Sequence, residues 1–415
     1  MENYDVAVIG GGAGGIMAAL AAREVGASVV IYERNNALGK KLRITGKGRC
    51  NVTNNCTVEE LLAAVPRNQK FLYGASAGFT PADTMAFFEE LGVPLKTERG
   101  RRVFPQSDKA ADIVSALSSA LRSAGVKVCL NTRVSALRHF YTDEGEPLIE
   151  VSLGEQATST HRAVVIATGG VSYPLTGSTG DGHRFAKELG IKVTPLKPSL
   201  VPVETEENFS PLSGLTLKNV TLTVRHNNRT VFTEMGEMLF THFGISGPLV
   251  LSASANMQEH PTEEYGMSID LKPALSNDEL DRRLVSDFAK YSARDFVNSL
   301  GDLLPIKLIE PVILRTGIPP HKKTGTLSKE ERRSLLGVLK SFDIHPLRFR
   351  PMAEAIVTCG GIDVKEISPK TMELKQYPGI FAAGELIDVD AYTGGYNLQI
   401  AFATGRLAGK NAGMR

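Results

Sequence analysis

The sequence lacks a charge bias, a cysteine framework and a long hydrophobic run. Lys and Arg number 47 against 45 Asp and Glu, so the net charge is +2 and predicts no nucleic-acid partner. Four cysteines in 415 residues do not make the disulfide framework of a secreted domain. The first residues are acidic, unlike a signal peptide, and the apolar stretch 10–22 is too short and glycine-rich to span a bilayer. We therefore expect a cytoplasmic protein with a small-molecule substrate and no membrane partner.

The first 33 residues have the pattern of a nucleotide-binding βαβ unit. A buried strand at 6–9 leads into the glycine-rich turn 10–15, an Ala-rich helix and a second strand that ends at Glu33. Gly12 leaves the backbone open to a pyrophosphate, and Gly15 lets the helix lie close to the strand. An acid at position 33 binds ribose hydroxyls and disfavours a 2′-phosphate. The motif does not separate FAD from NAD, and its predicted dinucleotide contacts are Gly10, Gly12, Ala13, Gly14, Gly15, Glu33 and Arg34.

A basic, glycine-rich segment at 38–54 is predicted to be a loop along the pyrophosphate. Its glycines at 39, 46 and 48 permit close approach to a ligand. A solvated basic loop and an RNA-facing patch are the alternatives. Cys50 and Cys56 are either unreactive thiols or a redox pair beside the cofactor. The cofactor contacts predicted in this segment are Lys41, Gly46, Arg49, Cys50 and Asn51.

Segments far from the first turn carry similar small-residue patterns. The turn at 167–170 follows an apolar strand, and the segment 384–398 combines Gly-Glu, acidic residues and a Gly-Gly pair that opens the last helix. Position 134 is where a backbone contact to adenine is expected in a fold of this type. A second contact to the same nucleotide is predicted for Val134, Ala167, Thr168, Gly169, Gly170, Gly384, Glu385, Asp388, Gly395, Tyr396, Asn397 and Leu398.

Four motifs together resemble a known family. They are G-G-G-A-G-G at 10–15, the run G-K-K-L-R-I-T-G-K-G-R-C-N-V-T-N at 39–54, the run A-T-G-G-V-S-Y-P-L-T-G-S-T-G-D-G at 167–182, and the run G-E-L-I-D-V-D-A-Y-T-G-G-Y-N-L-Q at 384–399. The chain is similar to the BaiN-like, aminoacetone-oxidase-like FAD-dependent oxidoreductases from its first strand to its last helix. The resemblance implies bound FAD and an inserted domain of strands and helices. It also implies either amine oxidation with oxygen or reduction of a conjugated C=C in steroid acids.

The residues themselves also favour FAD over NAD. FAD is long, so its flavin end has to be held by other parts of the chain. Glu385 and Asp388 are expected to bind the ribityl hydroxyls, and the helix start at 397–398 is expected to face the flavin pyrimidine edge. No second G-x-G-x-x-G follows residue 15. NADH or NADPH is therefore expected only as a transient reductant, without a domain of its own.

The fold class is predicted to be α/β, with a Rossmann-like FAD-binding domain and two inserts. The FAD-binding domain comprises 1–194 and 351–415. An antiparallel β-rich insert comprises 195–273 and about 343–350, because strands alternate there and Asn227-Asn228 supplies a turn. A small helical insert comprises 274–342, where apolar residues recur at helical spacing.

The predicted function is hydride transfer between flavin N5 and a small organic substrate, with NAD(P)H-driven reduction of an activated C=C favoured. Such a reaction needs a proton donor, and Tyr173, His242 and Tyr392 have suitable chemistry. The alternatives are a flavin amine oxidase that releases hydrogen peroxide, a flavin-bearing RNA-binding protein that uses 40–49 and 99–102, and a redox sensor that uses Cys50 and Cys56. No metal site is predicted.

Overall fold

The computed structural model describes residues 4–154 and 157–415. The strands are β1 (Val6–Ile9), β2 (Val29–Tyr32), β3 (Thr53–Asn54), β4 (Leu95–Thr97), β5 (Arg102–Pro105), β6 (Lys127–Cys129), β7 (Val134–Tyr141), β8 (Pro147–Leu153), β9 (Ala157–His161), β10 (Ala163–Ile166), β11 (Lys197–Ser199), β12 (Val203–Thr205), β13 (Thr216–His226), β14 (Arg229–Phe240), β15 (Gly244–Ser246), β16 (Tyr265–Asp270), β17 (Phe342–Ile344), β18 (Pro346–Phe349), β19 (Val357–Cys359) and β20 (Ile380–Ala382).

The α-helices begin and end as follows: α1 (Ala13–Glu24), α2 (Lys40–Gly48), α3 (Val58–Ala63), α4 (Tyr73–Gly78), α5 (Pro81–Glu90), α6 (Ala110–Ser123), α7 (Asp181–Glu188), α8 (Pro248–Ser254), α9 (Asn277–Lys290), α10 (Ile306–Thr316), α11 (Lys329–Lys340) and α12 (Tyr396–Gly413). Among the described residues, no helix combines the length and apolar character that crossing a bilayer requires.

The chain divides into two compact units, one of Met1–Ser199 with Met352–Arg415 and one of Leu200–Pro351. The second unit contains the predicted helical insert and most of the predicted β-rich insert. Residues 197–199 belong to the first unit, because β11 pairs there with β19 in an antiparallel ladder. The assignment of 274–342 to a domain of its own stays a prediction.

A five-stranded parallel sheet forms the centre of the first unit, in the order β20-β10-β1-β2-β6. All four residues of β1 and all four of β10 are buried, as expected for strands with both faces covered. The strand–glycine turn–helix–strand order predicted from the first 33 residues is therefore confirmed, and so is the Rossmann-like α/β fold.

Helix α12 returns from the end of the chain to pack on α1. A Cβ atom placed on Gly405 would lie 2.2 Å from the Gly14 carbonyl oxygen, and one on Gly409 would lie 2.0 Å from the Ala18 oxygen. The sequence predicts that small residues in this helix pack against a sheet. The structure shows that these two glycines instead permit backbone contact between helices, which ties the last helix to the first.

Two further sheets in the first unit are antiparallel, β7-β8-β9 and β3-β5-β4. Strands β4 and β5 form a hairpin whose turn contains Gly100. Strand β9 was not predicted, because its sequence Ala-Thr-Ser-Thr-His is polar and carries no hydrophobic alternation. This strand is stabilised by backbone hydrogen bonds to β8 rather than by burial of apolar side chains.

The second unit combines a seven-stranded antiparallel sheet with helices. The sheet order is β17-β16-β13-β14-β15-β12-β18, and the predicted turn at Asn227-Asn228 joins β13 to β14. Helices α9 and α11 each begin with a capping box, in which Ser276 or Ser328 exchanges hydrogen bonds with the glutamate three residues later. Local signals of this kind explain why the sequence predicts these elements well.

The segment 38–54 is not the continuous loop that its glycines predict. Residues 40–44 are helical, and the backbone leaves the helical region at Thr45, where ψ is 151°, and at Gly46 and Lys47, where φ is positive. Leu42 is buried on this short helix. The prediction was wrong for residues 40–44, because the burial of Leu42 outweighs the low helix propensity of the flanking glycines.

Candidate cofactor and active site

The turn after β1 has the geometry of a phosphate-binding turn. Gly10 has a φ of 104°, and a Cβ on Gly15 would lie 1.9 Å from the Gly10 carbonyl oxygen, so both positions require glycine. At Gly12, a Cβ would meet no atom within 4 Å. Gly12 is the N-cap of α1. The first N–H groups of a helix lack partners within the helix, and the helix dipole favours an anion at this end. The turn therefore leaves an open cradle at the end of the helix.

Glu33 is buried against this turn. One carboxylate oxygen accepts a hydrogen bond from the Gly11 N–H at 2.7 Å, and the other accepts two from Asn35, at 2.8 Å from the backbone and 2.7 Å from the side chain. A carboxylate has about four acceptor positions, so capacity for a ribose hydroxyl remains. The predicted contact Arg34 donates to Thr179 at 2.5 Å and to Asp181 at 3.1 Å.

The second turn, at 167–170, lies directly beside the first. A Cβ on Gly10 would lie 2.5 Å from the Ala167 carbonyl oxygen. A Cβ on Gly170 would lie 2.3 Å from Thr358 Oγ1 and 2.7 Å from a Glu385 carboxylate oxygen. Thr168 Oγ1 is buried without a hydrogen-bond partner in the described part of the chain. The fold thus brings the two predicted glycine turns to one place, and Val134 is buried at the start of β7.

A polar network links four distant segments around Glu385. Lys41 Nζ donates to Glu385 at 2.5 Å and to Ser172 Oγ at 2.7 Å. The other Glu385 oxygen accepts from Ser172 Oγ at 2.9 Å and from the Thr358 N–H at 2.8 Å. Lys41 and Glu385 are both about four-fifths buried. Two predicted cofactor contacts are therefore in direct contact with each other, and the network holds the segment after β20 in place.

The start of α12 lies against the segment 51–54. Gly395 has a φ of 101°, and a Cβ there would lie 2.3 Å from the Thr53 carbonyl oxygen and 3.0 Å from Asn51 Oδ1. Asn51 Oδ1 is buried without a hydrogen-bond partner in residues 4–154 and 157–415. The Asn397 side chain donates to the Ala391 oxygen at 2.7 Å and accepts from its N–H at 2.9 Å. This leaves backbone groups, rather than the Asn397 amide, to meet a ligand at the helix start.

These observations fit FAD better than a short nucleotide. The open backbone at Gly12 fits the predicted pyrophosphate contact, Glu33 keeps acceptor capacity for the predicted ribose contact, and the Glu385 network and the start of α12 would offer polar groups to the flavin end. Thr168 and Asn51, two of the predicted contacts, each carry a buried polar atom without a hydrogen-bond partner among the described residues, which is consistent with a ligand at this place.

The HI0933-like protein Rossmann domain family matches residues 4–411. The chain belongs to this family. It is 32% identical over 404 residues to a ribosomal RNA dihydrouridine synthase of Haemophilus influenzae, which covers 96% of this chain and 95% of the relative. It is 29% identical over 415 residues to a 3-dehydro-bile acid delta(4,6)-reductase of Clostridium scindens, with 99% of each chain covered.

Solved structures show the same fold as this HI0933-like chain. A 3-ketosteroid delta1-dehydrogenase from Sterolibacterium denitrificans gives a TM-score of 0.55 at 15% identity, with all of both chains covered. A 3-ketosteroid-delta4-(5alpha)-dehydrogenase from Rhodococcus jostii gives 0.54 at 15% identity, covering 100% of this chain and 97% of the other. The family and the fold confirm the prediction of an FAD-dependent oxidoreductase of the Rossmann type.

The three candidate proton donors of this HI0933-like chain have different settings. Tyr173 is half-buried with a φ of 51°, unusual for a bulky residue, and Lys41 Nζ lies 5.7 Å from its ring centroid. Tyr392 is half-buried before α12, and its N–H donates to the Ala64 oxygen at 2.9 Å. His242 lies in the second unit and is exposed, with its ring 5.0 Å from that of Phe243. The prediction that apolar neighbours put His242 in a site wall or a core did not anticipate this exposure.

Two predicted contacts in the basic segment have other partners. The Arg49 guanidinium pairs with Glu98 at 2.9 Å and Asp108 at 3.2 Å and lies 4.0 Å from the centroid of the Phe104 ring. Cys50 is fully buried, and burial raises the pKa of its thiol to about 12. Burial also raises the pKa of Cys56 to about 11. All four cysteines are free thiols, and thiolate chemistry at 50 and 56 is therefore disfavoured.

Sequence reasoning missed several polar residues that support the candidate site. Ser172, Thr358 and Asn35 each bond a predicted site residue. Gln399 is fully buried and accepts from Thr53 and Thr84, both at 2.7 Å, while its amide donates to the Phe79 oxygen at 2.8 Å. The available signal was a polar residue inside an otherwise small and apolar helix, because a buried amide there has to be hydrogen-bonded.

Proposed function

We propose that this chain reduces a ring C=C conjugated to a carbonyl, with a uridine of ribosomal RNA as substrate and NADH or NADPH as reductant. The relatives that match nearly its whole length are named for this type of chemistry on a pyrimidine and on a steroid acid. Reduction of uridine to dihydrouridine adds a hydride to one ring carbon and a proton to its neighbour. The chain therefore has to hold a hydride source, a proton donor and the RNA.

The residues of the first unit account for the cofactor. Gly12 and the start of α1 would hold the pyrophosphate, Glu33 would hold the ribose, and Glu385, fixed by Lys41 and Ser172, would bind the ribityl hydroxyls. Hydride transfer from the nicotinamide to the substrate carbon is the chemistry that FAD would supply when bound. The N-terminus of α12 at Asn397–Leu398 would favour negative charge on a flavin pyrimidine edge held there.

Tyr173 is the proposed proton donor. Its phenol hydroxyl delivers a proton to the carbon beside the carbonyl as the hydride arrives at the other carbon. The unusual backbone conformation of Tyr173 is typical of residues held for function, and Lys41 packs near its ring. Tyr392 is the second candidate. A Tyr173→Phe variant should lose kcat while it keeps bound flavin and flavin reduction by NAD(P)H, and the same result for Tyr392→Phe alone would reassign the role.

An exposed basic surface beside the α12 start is the observation that favours RNA. The Asn54 amide donates to Gly100 O at 2.9 Å and to Gly394 O at 3.0 Å, so the turn at 99–101 lies next to the predicted flavin segment. Arg43, Lys47 and Arg99 are exposed and form no ion pair within the described residues. Other basic residues nearby are neutralised by ion pairs: Arg49 with Glu98, Lys96 with Asp108 and Arg101 with Glu60.

The net charge of +2 did not predict this partner, because a sum over the chain hides a local surface. Lys and Arg at such a surface bind phosphates independently of sequence and make binding salt-dependent. The RNA-facing alternative for residues 40–49 and 99–102 thus becomes part of the proposed function, with reduction as the chemistry.

The test is anaerobic incubation of the flavin-loaded protein with NADH or NADPH and unmodified ribosomal RNA transcript. We expect one dihydrouridine, measured by mass spectrometry of the digested RNA, for each nicotinamide oxidised. Arg99→Glu with Lys47→Glu should lower product formation at low RNA concentration and keep flavin content. Arg229→Glu, an exposed arginine of the second unit, is the matched control. RNA that stays unmodified while nicotinamide is consumed on another substrate would overturn the RNA proposal.

A steroid-type enone is the second candidate, favoured by the 29% identity to the bile acid reductase over the whole chain. The same anaerobic assay with a 3-keto-4-ene steroid acid separates the two substrates. Hydrogen peroxide formed from an amine and oxygen, without nicotinamide, would instead support the amine oxidase alternative.

A further inference from the structure

Three potential metal ligands meet at one end of the sheet in the second unit. His226, His260 and Glu264 each offer a ligand atom, and these atoms all lie within 4.8 Å of one another. His226 Nε2 lies 3.2 Å from a Glu264 carboxylate oxygen. The two imidazole rings stack with centroids 3.7 Å apart. None of these three residues is a predicted cofactor contact, and all the predicted cofactor contacts lie in the first unit.

The fold brings the ligands together through β-sheet register. His226 ends β13 and pairs with Tyr265, the first residue of β16. The Tyr265 hydroxyl accepts a hydrogen bond from the backbone N–H of His260 at 3.2 Å, which holds the main chain of His260 near the end of β13. The sequence did not predict a metal site, because His226 is far along the chain from the other two and only the β13–β16 ladder makes them neighbours.

We propose that this cluster binds one divalent transition-metal ion, with Zn²⁺ the best match. Two imidazoles and one carboxylate are the ligands that such ions prefer, whereas Mg²⁺ and Ca²⁺ prefer oxygen ligands throughout. Three protein ligands leave a fourth position for water. His226 is 14% exposed and serves as the fixed ligand. His260 is exposed, and its ring would have to leave the stack with His226 to point a lone pair at the ion.

The charges around the cluster favour a cation overall. Glu259 and Glu263 flank the ligands along the chain and are exposed. Arg229, which pairs with His226 across the β13–β14 hairpin, carries an opposing charge, and its side chain is exposed. A bound ion would join the segment 260–264 to the end of β13. Because the ion binds only the folded arrangement, it raises the stability of the second unit.

The experiment uses the full-length, flavin-loaded protein after EDTA treatment and buffer exchange. Titration with ZnCl₂ by calorimetry should show one site, and CoCl₂ should give the visible absorption of a tetrahedral site. His226→Gln, His260→Gln and Glu264→Gln should each weaken Zn²⁺ binding about tenfold or more, since even loss of a second-shell partner costs that much. His345→Gln is the matched control, because His345 contacts Glu207 at 2.8 Å in the same unit.

Zn²⁺ should also raise the melting temperature of the wild-type protein and of His345→Gln, but not of the three ligand variants. An unchanged far-UV circular dichroism spectrum in every variant would show that each one folds. No binding to the wild-type protein, or equal Zn²⁺ affinity in the wild type and the His226→Gln and His260→Gln variants, would overturn the proposal. The proposal is independent of the proposed function, because its measurements do not involve substrate turnover.

Discussion

The two units of the molecule differ in the sequence range of the contacts that stabilise each of them internally. In the first unit, Lys41 bonds a residue 344 positions away, Thr53 bonds one 346 positions away, and Asn54 bonds one 340 positions away. In the second unit, a hairpin and the capping boxes at Ser276 and Ser328 join close neighbours in sequence. The proposed cofactor site is therefore built from both ends of the chain, whereas much of the second unit follows from local signals.

The Gly12 cradle gives the largest expected difference between the units. Gly12→Val should abolish FAD retention, because its side chain would fill the open cradle while meeting no protein atom within 4 Å of its Cβ. Gly301→Val is the matched control in the second unit, where a Cβ also meets nothing within 4 Å. The measurement is flavin absorbance per protein, with circular dichroism for folding. Full flavin occupancy in Gly12→Val would contradict the backbone-approach argument.

Acid sensitivity should also differ between the units. Burial lowers the pKa of His183, in α7 of the first unit, to about 4, against about 6.5 in an unfolded chain. The unfolded state then binds more protons between these values, so stability falls as pH falls through this window. The contribution is up to roughly 3 kcal/mol. His183→Gln should show a shallower loss of unfolding free energy between pH 7 and pH 4.

The control for His183 is His321, which is 82% exposed in the second unit. His321→Gln should keep the wild-type pH dependence. Urea unfolding at a series of pH values measures both variants. Equal slopes for wild type and His183→Gln would show that His183 does not stay neutral in the folded protein.

Two ion pairs of matched geometry separate stability from cofactor binding. Lys41–Glu385 and Lys340–Asp270 are both 2.5 Å apart, with side chains about one-fifth exposed. Lys41→Met and Lys340→Met should each cost roughly 1.5–3 kcal/mol of unfolding free energy, the range for hydrogen bonds to charged groups. Only Lys41→Met should also raise the Kd for FAD, measured by fluorescence titration of the apoprotein. A similar rise in Lys340→Met would mean that the effect reflects general destabilisation.

The smallest expected effect concerns the capping box of α11. Ser328→Ala removes the acceptor for the Glu331 N–H and should cost about 1 kcal/mol. FAD affinity and the pH dependence should stay unchanged, since the contact is local to the second unit. Thermal unfolding and flavin titration on the same preparation check both statements, and a loss of flavin would break the comparison between the units.

The sequence was most informative where backbone and short-range rules apply. Gly10, Gly12 and Gly15 predict the first turn, because a positive φ and close backbone approach leave no alternative to glycine. The same rules predict the turn at Asn227-Asn228 and the helices of the second unit. They fail at residues 40–44, where the burial of Leu42 makes a helix out of a glycine-rich segment, and at β9, whose polar sequence pairs with β8.

The amino-acid order by itself determined the nucleotide turn, the acid that follows it and the succession of strands and helices, since these depend on neighbours within a few residues. Only the tertiary structure decided which charged groups meet. In the folded chain, Lys41 pairs with Glu385, Arg49 pairs with Glu98 and Asp108, and His226 lies beside His260. Such pairings follow from strand register and helix packing between residues tens to hundreds of positions apart, and no local pattern in the chain encodes them.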